Sequence, residues 1–217
     1  MNDTPEKAAE PQNAFAVLRK FSRKRAPVER CELCSAELPP EHGHLLERAT
    51  RNILCSCEAC SVLFSDHGNA RYQRVPRRAQ FLSDFQISDL EWEALMLPIN
   101  LAFFYRDSAA NRVVAMYPSP AGATESLLNL ESWTEIASRN PKLETLENDV
   151  EALLVNRMGA AKDYYIVPLD ECYRLVGLIR THWRGLSGGA EVWKEMHEFF
   201  AQLQARCGQG ERRRART

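Results

Sequence analysis

Apolar positions change their period several times along this chain, and each change predicts an element. In "NAFAVLRKFSRK", Phe15, Leu18 and Phe21 fall three apart, the spacing of a short amphipathic helix. "HLLERATRNILC" reads as two short strands around a polar turn, the second delivering Cys55 and Cys57. "SDHGNARYQRVPRR" has no period and is expected to be a loop. A helix is predicted from Ser88 in "FQISDLEWEALML", with Leu90, Leu95 and Leu97 as its apolar positions. "INLAFFYRD" and "RVVAMYP" are almost wholly apolar, so they read as a hairpin of strands buried on both faces. The polar "YPSPAGATES" is expected to be a Pro/Gly loop. "ESWTEIASRNP" predicts a helix that stops before Pro141, because a residue preceding proline avoids the helical region. "DVEALLVNR" and "DYYIVPL" are strands around the turn "MGAAK". Last come "DECYRLVGLIRTHW" and "AEVWKEMHEFFAQL", two helices joined by "RGLSGG". The second carries the stripe Val192, Met196, Phe199, Phe200 and Leu203.

This order predicts an α+β fold: an N-terminal zinc-ribbon-like cysteine module, then a mixed sheet with a C-terminal helical hairpin. The boundaries follow composition. Residues 1–28 form a basic, largely disordered segment with the short helix, 29–66 the metal-binding module, 67–206 the α+β domain, and 207–217 a basic disordered tail. A chain of 217 residues at 45% hydrophobic can bury a substantial core. Charge is uneven: residues 1–30 carry +3 and residues 206–217 carry +4, leaving −8 between them for a formal net charge of −1. An acidic body with basic ends lacks the basic, aromatic-interleaved patch of a nucleic-acid binder, so nucleic acid is not the expected partner. No run approaches the roughly 18 apolar residues of a membrane span, and the start lacks the pattern of a secretory signal. The expected location is cytoplasmic. In that reducing setting, clustered cysteines bind metal more often than they form disulfides.

The candidate chemistry lies in "CELCSAELPPEHGHLLERATRNILCSCEAC", which holds five of the seven cysteines. Cys31 and Cys34 form one C-x2-C knuckle, and Cys57 and Cys60 form another after a gap of 22 residues. A two-residue spacing lets one tight turn point two sulfurs at a single ion. Four thiolates make a closed tetrahedral site of the kind that holds zinc for structural purposes. Arg48 and Arg51 are candidates to offset its negative charge. Cys55 is a fifth thiol, and it, His42 and His44 are the alternate ligands. Iron is the rival metal, since a rubredoxin-type centre takes the same donors. Cys172 follows Asp170, a candidate N-cap, and reads as a small buried side chain before it reads as a nucleophile. Arg174, Arg180 and Arg184 beside "WRGLSGG" offer an anion site or a solvated basic face. No Ser-His-Asp order, P-loop, dinucleotide fingerprint or H-E-x-x-H motif occurs, so no enzyme class is indicated.

The segments "HGHLLE", "LCSCEACSVLF", "AMYPSPAGATES", "DVEALLVNR" and "VPLDECYRLVGLIRTHWRGLSGGAEVW" resemble an uncharacterised bacterial family over roughly residues 29–205. Its genes tend to lie beside those of high-affinity uptake [NiFe]-hydrogenases. The resemblance implies a partner, a hydrogenase subunit or maturation factor, and no catalytic residue. The expected function is therefore a metal-binding, non-enzymatic accessory or assembly protein. A rubredoxin-like electron-transfer or thiol redox module is the first alternative, and a zinc-ribbon nucleic-acid-binding regulator the second. Tyr117 and Trp183 are the expected aromatic anchors of a docking surface.

Overall fold

A computed structural model describes residues 28–65, 71–127, 130–185 and 187–214. The helix expected around Phe15–Phe21 lies outside these residues.

Strands β1 (Gly43–Glu47) and β2 (Asn52–Ser56) form an antiparallel hairpin, and β3 (Tyr72–Arg74) pairs on the other side of β1. The hairpin turn closes through Arg51, which takes a φ of 60° and donates its N–H to the Glu47 carbonyl at 2.8 Å. Helix α1 (Glu58–Phe64) follows β2 directly. The second sheet is six-stranded and antiparallel throughout, in the order β4-β9-β8-β5-β6-β7. Its strands are β4 (Gln80–Phe81), β5 (Leu101–Asp107), β6 (Arg112–Ser119), β7 (Gly122–Ser126), β8 (Glu151–Asn156) and β9 (Asp163–Pro168).

Central strands of this sheet are apolar through their middles, Leu101–Tyr105, Ala152–Val155 and Tyr164–Val167, because both faces are covered. On one face Leu101, Phe103, Ala152, Leu154, Tyr165 and Val167 pack against helices α4 (Leu169–His182) and α5 (Gly189–Arg214). Both helices contribute to that core, through Cys172, Leu175 and Ile179 from α4 and Val192, Met196, Phe199 and Leu203 from α5. On the opposite face Ala102, Phe104, Leu153, Val155 and Ile166 meet α2 (Asp89–Ala94), α3 (Leu130–Arg139) and the 3-10 turn Pro141–Thr145. Trp133 stacks on Phe104 with ring centroids 4.7 Å apart. Each fully buried large side chain is worth roughly 1.5–3 kcal/mol relative to exposure.

A third cluster joins the two sheets. Leu46 of β1, Val75 and Val150 are buried together, with Ile53 beside them. Next to it Arg51 reaches Asp149 at 2.6 Å and lies over the Tyr105 ring, 5.4 Å from its centroid. Gln73 donates to the Asn148 carbonyl at 3.0 Å.

Several sequence expectations need correcting. Residues 72–74 are a strand and not loop, so the sheet of the cysteine region extends past residue 66. "YPSPAGATES" is a hairpin in which β7 pairs with β6 across the turn at Pro120 and Ala121, and Gly122 opens β7 with a φ of 133°. In α2 the buried residue is Trp92, followed by the expected Leu95 at the C-cap, while Leu90 points to solvent. Ser88 does start that helix, through a capping box with Glu91. Helix α4 begins at Leu169 with Pro168 at the N-cap, so Asp170 lies inside the first turn. Helix α5 continues to Arg214, beyond the expected tail boundary at 206, and Cys207 is buried in the core.

Candidate metal centre

The first knuckle sits in a tight turn. Its ends are tied by the bridge between Arg30 and Glu37 and by the Cys31 N–H donating to the Ala36 carbonyl at 2.8 Å. Ser35 takes a φ of 62° and donates to the Cys31 carbonyl at 2.7 Å, which folds Cys34 back beside Cys31. The second knuckle forms where β2 becomes α1. Cys57 is the N-cap, and its Sγ accepts the Cys60 N–H at 3.4 Å. The Glu32 N–H donates to the Cys55 carbonyl at 3.0 Å, and the Cys55 N–H donates to the Glu32 carboxylate at 2.7 Å. These bonds bring the two knuckles face to face.

Cys31, Cys34, Cys57 and Cys60 thereby place their four Sγ atoms within 4.8 Å of one another. Cys34 and Cys57 are 3.7 Å apart at sulfur. Zinc–thiolate bonds of about 2.3 Å imply sulfur–sulfur edges of about 3.8 Å in a tetrahedron. The group could therefore hold a metal ion. Cys31 and Cys60 are buried, Cys57 is half-buried and Cys34 is exposed, and Leu38 and Leu33 pack alongside.

Proton affinities differ sharply within the group. Burial pushes the Cys31 thiol up, but the N–H groups of Cys57, Cys34 and Leu33 outweigh it and bring it down to about 6. The Cys60 thiol is pushed up to about 12 by burial and by the neighbouring sulfurs of Cys34, Cys57 and Cys31. Without a cation the Cys31 thiolate forms readily, while the Cys34 and Cys60 thiols are held above their ordinary range. A bound cation reverses that hold and releases protons.

His42, His44 and Cys55 do not join the four thiols. They form a group of their own, within 4.8 Å of one another. Arg51 is turned away from the sulfurs toward Asp149 and Asp107, so it does not offset their charge. Cys172 is fully buried and burial holds its thiol well above the ordinary range, which matches a packed side chain and not a nucleophile. Arg174 pairs with Glu171 over the Phe199 ring, and Arg184 donates to the Thr181 and Trp183 carbonyls at the end of α4. These arginines do not converge on an anion site. The Trp183 indole N–H is bound to the Gly185 carbonyl, and the ring packs against the core. Asp170 is a site residue the sequence did not reveal: its carboxylate meets His44 from a position 126 residues away. Among the described residues no helix is long and apolar enough to cross a membrane.

Residues 30–207 match the sequence profile of DUF5947, a family of unknown function. The chain belongs to the DUF5947 family. The matched region spans both thiol knuckles, both sheets and α5 as far as Cys207. No similar curated protein and no similar solved structure is found.

Proposed function

We propose that Cys31, Cys34, Cys57 and Cys60 hold one zinc ion in a closed, structural, zinc-ribbon-like centre, and that the protein serves as a non-enzymatic accessory or assembly factor of a [NiFe]-hydrogenase system. The observation that carries the first half is the convergence of four sulfurs within 4.8 Å of one another, with the Cys34–Cys57 pair at 3.7 Å. With all four positions taken by protein, such an ion shapes a surface and leaves no place for a substrate. That surface is partly apolar: Val62, Leu63 and Phe64 of α1, just after the second knuckle, are exposed. They suit the anchor role better than Trp183, whose ring is half-buried and bonded within the fold. The hydrogenase half rests on the family resemblance of the sequence segments and on the absence of a recognisable catalytic motif.

The experiment is a deletion strain in which hydrogen uptake and hydrogenase messenger RNA are measured together, alongside recovery of the cytoplasmic protein with its partner. Reduced uptake at unchanged message, with a hydrogenase subunit or maturation factor co-purifying, supports the reading. Normal uptake removes it, and lowered message moves the nucleic-acid-binding regulator to first place. The exposed Cys34 sulfur favours a second reading, a rubredoxin-like iron centre exchanging electrons at that edge. A coloured ferric protein would establish it, since zinc is colourless.

A further inference from the structure

The geometry points to a second metal site, built by His42, His44 and Cys55 and distinct from the four-thiol group, that holds a borderline first-row ion such as zinc or cobalt(II) with one coordination position open to a cleft. Strand register brings the donors together. His44 of β1 is paired directly with Cys55 of β2, so their side chains share a face. His42 stands two residues before His44, the repeat that returns a side chain to the same face of an extended chain. A ring nitrogen of each histidine and the Cys55 Sγ lie within 4.8 Å of one another, and the ring centroids are 4.8 Å apart.

Both imidazoles are held in the manner of metal ligands. His42 Nδ1 faces two acceptors, the Pro39 carbonyl at 3.0 Å and the Glu29 carboxylate at 3.4 Å, so Nδ1 carries the proton and Nε2 keeps its lone pair. That Nε2 is buried and has no hydrogen-bond partner, on a side chain only 6% exposed. An orphaned buried acceptor carries a desolvation cost of about 1–3 kcal/mol, which a cation would relieve. His44 Nδ1 lies 2.7 Å from the Asp170 carboxylate. A carboxylate behind a histidine fixes the ring and raises the basicity of the other nitrogen.

Two imidazoles and a thiolate make three protein donors, and tetrahedral ions with three protein donors keep a fourth position for water or another ligand. His42, His44 and Cys55 line a cleft of about 1230 Å³ that also takes in Asp170, Tyr173 and Gln202 from α4 and α5. The donors come from the cysteine region and the orienting carboxylate from the body, so the ion would also tie the two together.

The test is a cobalt(II) titration of the full reduced chain, read by absorbance and by elemental analysis after gel filtration. Two equivalents are expected, one with the charge-transfer bands of four thiolates and one with those of a single thiolate. Cys55→Ser and His44→Gln should each lose one equivalent and keep the four-thiolate spectrum, which shows that the region is still folded. Asp170→Asn should keep both equivalents while weakening the second roughly 10–100-fold. A single equivalent in the unaltered chain, carrying the four-thiolate spectrum alone, overturns the proposal. So does loss of the four-thiolate spectrum in Cys55→Ser, or retention of two equivalents in both ligand variants. If the four-thiol group takes no cobalt while the histidine site does, the structural-zinc reading fails and this one stands.

Discussion

Asp149→Asn should loosen the seam between the cysteine region and the body. Asp149 is 2% exposed and sits at a φ of 70°, a left-handed conformation that asparagine also tolerates. Its carboxylate accepts from the Arg51 guanidinium at 2.6 Å, from the Ser108 N–H at 2.9 Å and from the Ser108 hydroxyl. Asparagine keeps the shape and one acceptor oxygen, so what is lost is the negative charge facing Arg51 and the second acceptor, which takes the Ser108 hydroxyl. Hydrogen bonds to charged groups contribute about 1.5–3 kcal/mol. Breaking a fully buried pair costs about 3–5 kcal/mol, but Arg51 retains 28% side-chain exposure, so its orphaned charge is partly solvated. The expected loss is about 2–3 kcal/mol, read from urea unfolding at neutral pH with the Arg51→Met single and double variants closing a cycle. Burial pushes the Asp149 carboxyl up, but Ser108 and Arg51 outweigh it and hold it below the ordinary range. The stabilisation is therefore complete above the unfolded-state value of about 3.9 and fades as pH falls through the lower folded value. The gap between the two proteins should narrow in acid. A loss under about 0.5 kcal/mol, or a gap that widens in acid, would refute this account of the seam.

Cys34→Ser should release metal from the four-thiol group and unfold its surroundings while the six-stranded sheet survives, as hydrogen exchange would report. Because the Cys34 and Cys60 thiols are both held above their ordinary range in the free group, metal entry must displace more than one proton. Apparent affinity should then fall by more than about tenfold per pH unit below neutrality, measured by chelator competition. Gly188→Ala should cost about 1–3 kcal/mol of stability, because φ is 87° and the new Cβ would lie 2.9 Å from Val192 and 3.2 Å from the Trp183 ring. Phe199→Ala, at 2% exposure between Phe200 and Arg174, should cost about 3–5 kcal/mol by denaturant unfolding.

The strands β5, β8 and β9 were legible in the sequence because burial on both faces leaves an unbroken apolar run. β7 was not, since Gly122–Ser126 is polar and becomes a strand only by pairing along the β6 edge. β3 is three residues, Tyr72–Arg74, too short for a period to show. In α2 the cap and the burial of Leu95 were readable but Trp92 was missed and Leu90 misplaced: a helix of six residues is under two turns, too short for a period to fix its face. The end of α5 carries no apolar stripe, so the composition read as a tail. Four thiols were legible because paired knuckles encode their own convergence. The separation of His42, His44 and Cys55 from them depends on the β1–β2 register, and Asp170 reaches His44 through the tertiary fold alone.

The most direct measurement is elemental analysis of the chain carrying Cys55→Ser, purified without chelator, compared with the same chain carrying Cys57→Ser as well. One zinc per chain in the first and none in the second is the expected result. No metal in the first, iron in place of zinc, or zinc retained after Cys57→Ser would contradict the assignment of Cys31, Cys34, Cys57 and Cys60 as a structural zinc centre.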